Sequence, residues 1–306
     1  MRIDTRTIIA LGIAILLWSS SFAAVRAGLQ DFTPGHIALF RFLIASVLLA
    51  VSAVITHIKL PRLKDIPVIF LLGFLGVFAF HTAQNYGELT VTAGSAGMII
   101  SSVPIFTAIL ATLFLGEKLK LWGWLSIFIS FLGVSLIALG EKEGVNFDWG
   151  VILLLLAAVA AAIYFVLQKP YLGKYSALQL VTYMIWTGTL LLLIFTPGLI
   201  EDIRDAPIEA TVSIIYLGIF PSAVAYFTWS YALSKAPASI VASFLYLQPV
   251  FAIVIAWIWL NEMPAPIAII GGVITIIGLF LVNKYGLSSD ASILRKVPDQ
   301  KGNEGC

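Results

Sequence analysis

The sequence predicts an all-α membrane protein: ten transmembrane helices as two inverted five-helix repeats, with both termini cytoplasmic. Three observations predict it. Hydrophobic residues make up 60% of the 306 and charged residues 11%, against roughly 45–50% and 25% in soluble domains. The apolar residues fall in blocks of about twenty, the length that crosses a bilayer as a helix. The chain also matches itself at a constant shift.

Apolar runs between polar breaks place the spans, in order, at 7–29, 35–57, 66–86, 91–115, 121–139, 149–168, 176–196, 209–231, 238–260 and 265–284. The first begins after Met1-Arg2 and could pass for a signal peptide, but the topology needs it as a helix. The connections are short and hold most of the charge. With the N-terminus in the cytoplasm, the inner segments carry Arg2, Arg6, Lys59, Arg62, Lys64, Lys118, Lys120, Lys169, Lys174, Lys235, Lys284, Arg295, Lys296 and Lys301. The outer segments carry Arg26, Lys142 and Arg204. Fourteen against three is the contrast the positive-inside rule demands, and a wrong helix count would blur it. Residues 287–306 are polar and read as a disordered cytoplasmic tail.

At a shift of 145, Leu72 meets Leu217, Gly73 meets Gly218, Tyr86 meets Tyr231, Pro104 meets Pro249, Glu117 meets Glu262 and Gly133 meets Gly278. Matched Leu is cheap in apolar sequence; matched Pro, Glu, Tyr and Gly are not. The copies are placed at 1–143 and 144–286. Five spans is an odd number, so the second copy is inverted, a design of secondary transporters with the substrate site near the midplane.

Trp18-Ser-Ser-Ser-Phe22, Arg41-Phe42, mid-span Pro104 and Pro249, and Leu115-Gly116-Glu117 with Leu260-Asn261-Glu262 carry a resemblance. The chain resembles EamA-type members of the drug/metabolite transporter superfamily over about 7–284. The resemblance implies a central cavity lined mainly by spans 1, 3, 4, 6, 8 and 9, with spans 5 and 10 peripheral. It also implies export of amino acids or related metabolites. Two places depart from it: Met184 stands at the counterpart of Arg41, and Asn261 replaces Gly116.

Candidate pathway residues follow from polarity at depth. Pro104 and Pro249 lack an N–H and clash with the carbonyl four residues back, so Ile100 and Leu245 should hold loosened carbonyls that need a wet cavity or protein donors. Both prolines are candidate hinges. Ser101, Ser102, Tyr246 and Gln248 flank them. His81, Gln84, Asn85 and Glu88 share one face of span 3. Their counterparts on span 8 are Tyr226, Trp229, Ser230 and Leu233. Trp18 and Ser21 on span 1 and Tyr164 on span 6 sit near the midplane, lining the cavity or packing the core. Arg41 lies about six residues inside span 2. It reads as a structural charge, with Glu88 a candidate partner; the other reading is a substrate carboxylate site. Glu117 and Glu262 end spans 4 and 9, where they oppose the helix dipole. They read as capping or ion-pair groups, with Lys118 and Lys120 near the first.

No Gly-rich phosphate loop, no cofactor and no metal site is expected. The small net charge, +2, argues against nucleic acid. The few charges on the path argue against polyanionic substrates, and the aromatic content favours apolar or aromatic amino acids. Partners are the lipid bilayer and a small-molecule substrate, with a monomer or homodimer in the cell membrane. A further class, a non-transporting receptor or scaffold, would need neither inverted duplication nor paired prolines. An enzyme would need a catalytic set that is not legible. His81, the one histidine well inside a span, is the candidate proton relay.

Overall fold

The computed structural model describes residues 4–91, 93–139, 149–251, 254 and 266–286. Among them the chain is helical, without a β-strand. Helices α1 (Thr5–Gly28) and α2 (Pro34–Ile55) are unbroken. The third span runs through α3 (Ile66–Gly73), a π-helical turn (Phe74–Ala79) and α4 (Phe80–Gly87). The fourth is α5 (Ala93–Ile100) and α6 (Val103–Phe114), broken at Ser101-Ser102. There follow α7 (Leu121–Leu139), α8 (Trp149–Tyr171), α9 (Ala177–Leu192) and the short surface helix α10 (Leu199–Asp205). Then come α11 (Ile208–Leu217), a second π-helical turn (Gly218–Val224) and α12 (Ala225–Lys235). Last are α13 (Ala238–Ser243) with a 3₁₀ turn (Phe244–Tyr246), and α14 (Pro266–Tyr285).

Seven of these stretches are long and apolar enough to cross a membrane, with mean hydropathy from 1.7 to 2.8. They fall at the expected spans 1–4 and 6–8. Three shorter apolar helices, Leu121–Ile137, Ala238–Phe251 and Ile269–Tyr285, stand at expected spans 5, 9 and 10. The expected repeat boundary at 143–144, Glu262 and the tail 287–306 lie outside the described residues.

Local chemistry starts the helices. Asp4 accepts from Thr7 N–H at the head of α1. Thr33 accepts from His36 N–H at the head of α2, with Pro34 in its first turn. Ser176 and Gln179 make a capping box at the head of α9. Each cap satisfies one or two backbone donors that the helix leaves free. The head of α2 is held further by α10: His36 Nδ1 lies 2.5 Å from Asp202 Oδ2, and its Nε2 lies 2.9 Å from the Pro197 carbonyl.

Packing is closest between α7 and α14. A Cβ on Gly133 would sit 2.6 Å from Thr275 N, and one on Gly278 would sit 2.8 Å from Ser130 N. Ser130 Oγ donates to the Thr275 carbonyl at 3.3 Å. Small residues are how membrane helices approach this tightly, since lipid offers no hydrophobic drive for association. Outward faces are apolar: Val47, Val51, Val54, Leu113, Phe128, Leu190, Ile270 and Phe280 are exposed. Such a belt fits lipid and would be an aggregation surface in water.

Candidate transport cavity

The two π-helical turns lie at matching positions of the self-matching sequence, 145 residues apart. A π-turn leaves a main-chain carbonyl without its usual helical partner and marks functional positions. Here one carbonyl of each turn accepts from an aromatic side chain. Tyr226 Oη donates to Gly76 O at 2.5 Å. Trp18 Nε1 donates to Pro221 O at 3.1 Å. Gly76 and Pro221 are themselves 145 apart. Gly76 is required by close approach: a Cβ there would stand 2.8 Å from the Tyr164 ring.

Tyr226 also meets its own counterpart. His81 Nε2 lies 2.9 Å from Tyr226 Oη. The tyrosine has one proton and gives it to Gly76, so His81 donates through Nε2 and its Nδ1 is a bare acceptor. That Nδ1 has no hydrogen-bond partner. The rings of Trp18 and Tyr226 pack edge to face at 5.7 Å, and those of Phe42 and His81 are tilted at 4.7 Å. Tyr164 stands 6.2 Å from Tyr226.

These groups enclose a cavity of about 50 Å³. Trp18, Ser21, Arg41, His81, Gln84, Tyr164, Tyr226 and Gln248 line it, with Phe22, Phe80, Phe165, Ile100 and Leu245 among its apolar walls. Ligand sites for small organic molecules run to roughly 300–1,000 Å³, well above this volume. Residues come from spans 1, 3, 4, 6, 8 and 9, as the resemblance implied, and from span 2 through Arg41. No residue of α7 or α14 lines it.

Other expected pathway residues lie elsewhere. Asn85 is fully buried and its Nδ2 donates to the Pro34 carbonyl at 3.0 Å, tying α4 to the head of α2. Ser101 and Ser102 turn back onto their own chain, donating to Gly97 O at 2.8 Å and Ile99 O at 2.7 Å. Trp229 packs behind the lining, 5.1 Å from the Trp18 ring and 4.7 Å from Phe165. Tyr246 points to the other side of its helix, into the cluster of Ile127 and Leu279. Pro104 and Pro249 are not in the lining, but Ile100 and Leu245, the residues four before them, are.

The charged groups correct two expectations. Arg41 and Glu88 do not form an ion pair. Arg41, 1% exposed, instead donates from Nε to Ser222 Oγ on the second π-turn at 2.8 Å. Glu88 Oε1 accepts from Gln84 Nε2 at 2.8 Å. Glu117 is compensated neither by Lys118 nor by Lys120. Its carboxylate accepts from Ala238 N at 2.6 Å, Ser239 N at 3.0 Å and Ser239 Oγ at 2.5 Å. A carboxylate at the end of α6 thus caps the N-terminus of α13, where the dipole favours it. Beside it Lys169 Nζ donates to Leu233 O at 2.5 Å and Ala236 O at 2.6 Å, capping the C-terminus of α12. The two side chains grip both sides of one turn. The π-turns and Lys169 were not singled out from sequence. Pro221 inside span 8 was the visible signal for the former.

The sequence model of the EamA-like transporter family matches twice, over residues 5–139 and 148–284. An uncharacterized transporter of Bacillus subtilis, YdfC, is 45% identical over 271 residues, 89% of each chain. A probable terminal-alkyne amino-acid exporter of Streptantibioticus cattleyicolor is 35% identical over 92% of this chain and 95% of its own. A solved crystal structure superposes with a TM-score of 0.74 at 16% identity, over 92% of this chain and 97% of that one, a likeness of fold.

Proposed function

The chain belongs to the EamA-like transporter family, and from that premise we propose that it is a secondary exporter of amino acids with apolar or aromatic side chains, or of related compounds. It acts by alternating access in the cell membrane, as ten spans in two inverted copies with both termini cytoplasmic. It is a membrane transporter and not an enzyme. The observation that carries the reading is the central cavity, drawn from both matched halves and walled by aromatic rings with a few fixed polar groups. A cavity of that make-up suits a small solute with a charged head and an apolar body. The exporter from Streptantibioticus, named for an amino acid, supports the same class.

Inverted symmetry is supported by side chains that touch across it. His81 meets Tyr226, Ser130 meets Thr275, and Ser46 Oγ meets Thr189 Oγ1 at 2.9 Å. The first two pairs are 145 residues apart and the third 143. Paired counterparts lie on a two-fold axis, which for an inverted repeat runs in the membrane plane.

On the side assigned to the cytoplasm, the Glu117 and Lys169 caps fasten the α12–α13 turn to α6 and α8. Opening in that direction parts the turn from these helices, so these hydrogen bonds are the ones that break and re-form. The breaks beside Pro104 and Pro249 let α5 and α13 swing without dragging the rest of their spans.

The test is efflux from proteoliposomes loaded with labelled amino acids, against a panel of competitors. Saturable efflux of leucine or phenylalanine supports the reading. Efflux of another solute class, with amino acids inert as competitors, assigns the cavity to that class. No efflux of any solute from intact protein points to a receptor or scaffold.

A further inference from the structure

The cavity holds a buried cation with a donor to spare. Arg41 uses Nε on Ser222, while its Nη1 is buried and has no hydrogen-bond partner. No carboxylate lies within ion-pair distance of it among the described residues. Glu88 acts on this guanidinium only across a distance, without an ion pair, and a buried cation so placed is held at a cost. The cost is removed by a carboxylate, whose two oxygens match the guanidinium fork.

The same lining offers acceptors. Gln248 Oε1 and His81 Nδ1 are buried and unpartnered. Neither carries a proton to give, by the donor assignment of His81 and by the chemistry of an amide oxygen. Acceptors in a cavity that Trp18 and Tyr226 also line suit an ammonium group, by hydrogen bond and by cation–π attraction.

We propose that Arg41 and Gln248 read the two ends of an α-amino acid zwitterion, Arg41 taking the carboxylate and Gln248, with His81, taking the ammonium. This rests on reading the protein as an amino-acid transporter. The apolar side chain then lies among Phe22, Phe80, Phe165, Ile100 and Leu245. Arg41 is anchored to the π-turn through Ser222, so engagement of a carboxylate is felt directly by span 8. That links occupancy of the site to the element that has to move.

The test is competition for labelled phenylalanine efflux in proteoliposomes by three probes: phenylalanine, phenethylamine, which lacks the carboxylate, and 3-phenylpropionate, which lacks the amine. The wild type is expected to prefer phenylalanine over each by roughly tenfold or more, the worth of one charge-assisted hydrogen bond. R41Q is expected to lose the preference over phenethylamine and keep that over 3-phenylpropionate. Q248M is expected to do the reverse. Where R41Q does not fold, the wild-type series and R41K, which keeps the charge without the fork, decide: R41K should lower the preference over phenethylamine. Phenethylamine competing as well as phenylalanine at the wild type overturns the inference while leaving amino-acid transport standing. Absence of amino-acid efflux, with another solute carried, overturns the transport reading beneath it.

Discussion

The hydroxyl of Tyr226 joins two groups from span 3: a main-chain carbonyl at Gly76 and an imidazole N–H at His81. Tyr226→Phe removes both partners and leaves two buried groups unpaired, at about 1–3 kcal/mol. The expected result is a lower melting temperature in detergent and slower efflux. Melting unchanged from wild type would count against the bonds described. Gly76→Ala acts from the other side, driving a methyl into the Tyr164 ring. Overpacking of this kind costs about 1–3 kcal/mol, so it should destabilise the protein and weaken competition by every substrate alike. His81→Ala is expected to abolish any pH dependence of uptake in liposomes; a pH profile identical to wild type would end its candidacy as a relay. These residues were legible to different degrees. His81, Gln84, Tyr164 and Gln248 stand out because polar side chains at bilayer depth need a reason. Asn85 and Ser101 stand out equally, yet spend their polarity on neighbouring backbone. Polarity marks a need for a partner, and does not say whether the partner is a helix or a solute.

Among the elements, the broken helices were readable and the π-turns were not. A proline announces a missing donor wherever it falls, so Pro104 and Pro249 point to interruptions near residues 100 and 245. A π-turn is one extra residue in a helical turn, and Gly76 with Pro221 carries that only in pairwise comparison. The latch at the α12–α13 turn was half readable. Glu117 at a helix C-terminus demanded compensation, but the compensating dipole belongs to a helix more than a hundred residues on. Glu117→Ala deprives three donors of their acceptor, a loss of about 0.5–2 kcal/mol by analogy with N-caps. Thermal melting should fall by that measure. Glu117→Gln, which keeps one acceptor oxygen, should lie between. If efflux depends on breaking and re-forming the latch, both variants change its rate without changing the order of competitors.

For the molecule as a whole, apolar run lengths placed seven membrane-length helices correctly. What they could not place is which helices face the cavity. Spans 5 and 10 have the same composition as the rest, and only contact shows them paired outside the centre. Gly133→Leu should separate α7 from α14 and lower stability while leaving competitor order untouched, since neither helix reaches the cavity; a changed order would contradict that placement. The pairing also sets a timetable. Ser130 and Thr275 are separated by 145 residues, and a ribosome adding about 5–20 residues per second needs roughly 7–30 s to cover that distance. Through that interval the serine and glycine face of α7 is uncovered, open to any other helix that passes. α14 is the helix that relieves it, so a chain stopped short of α14 should be bound by membrane quality-control factors and cleared, while one that includes α14 should not.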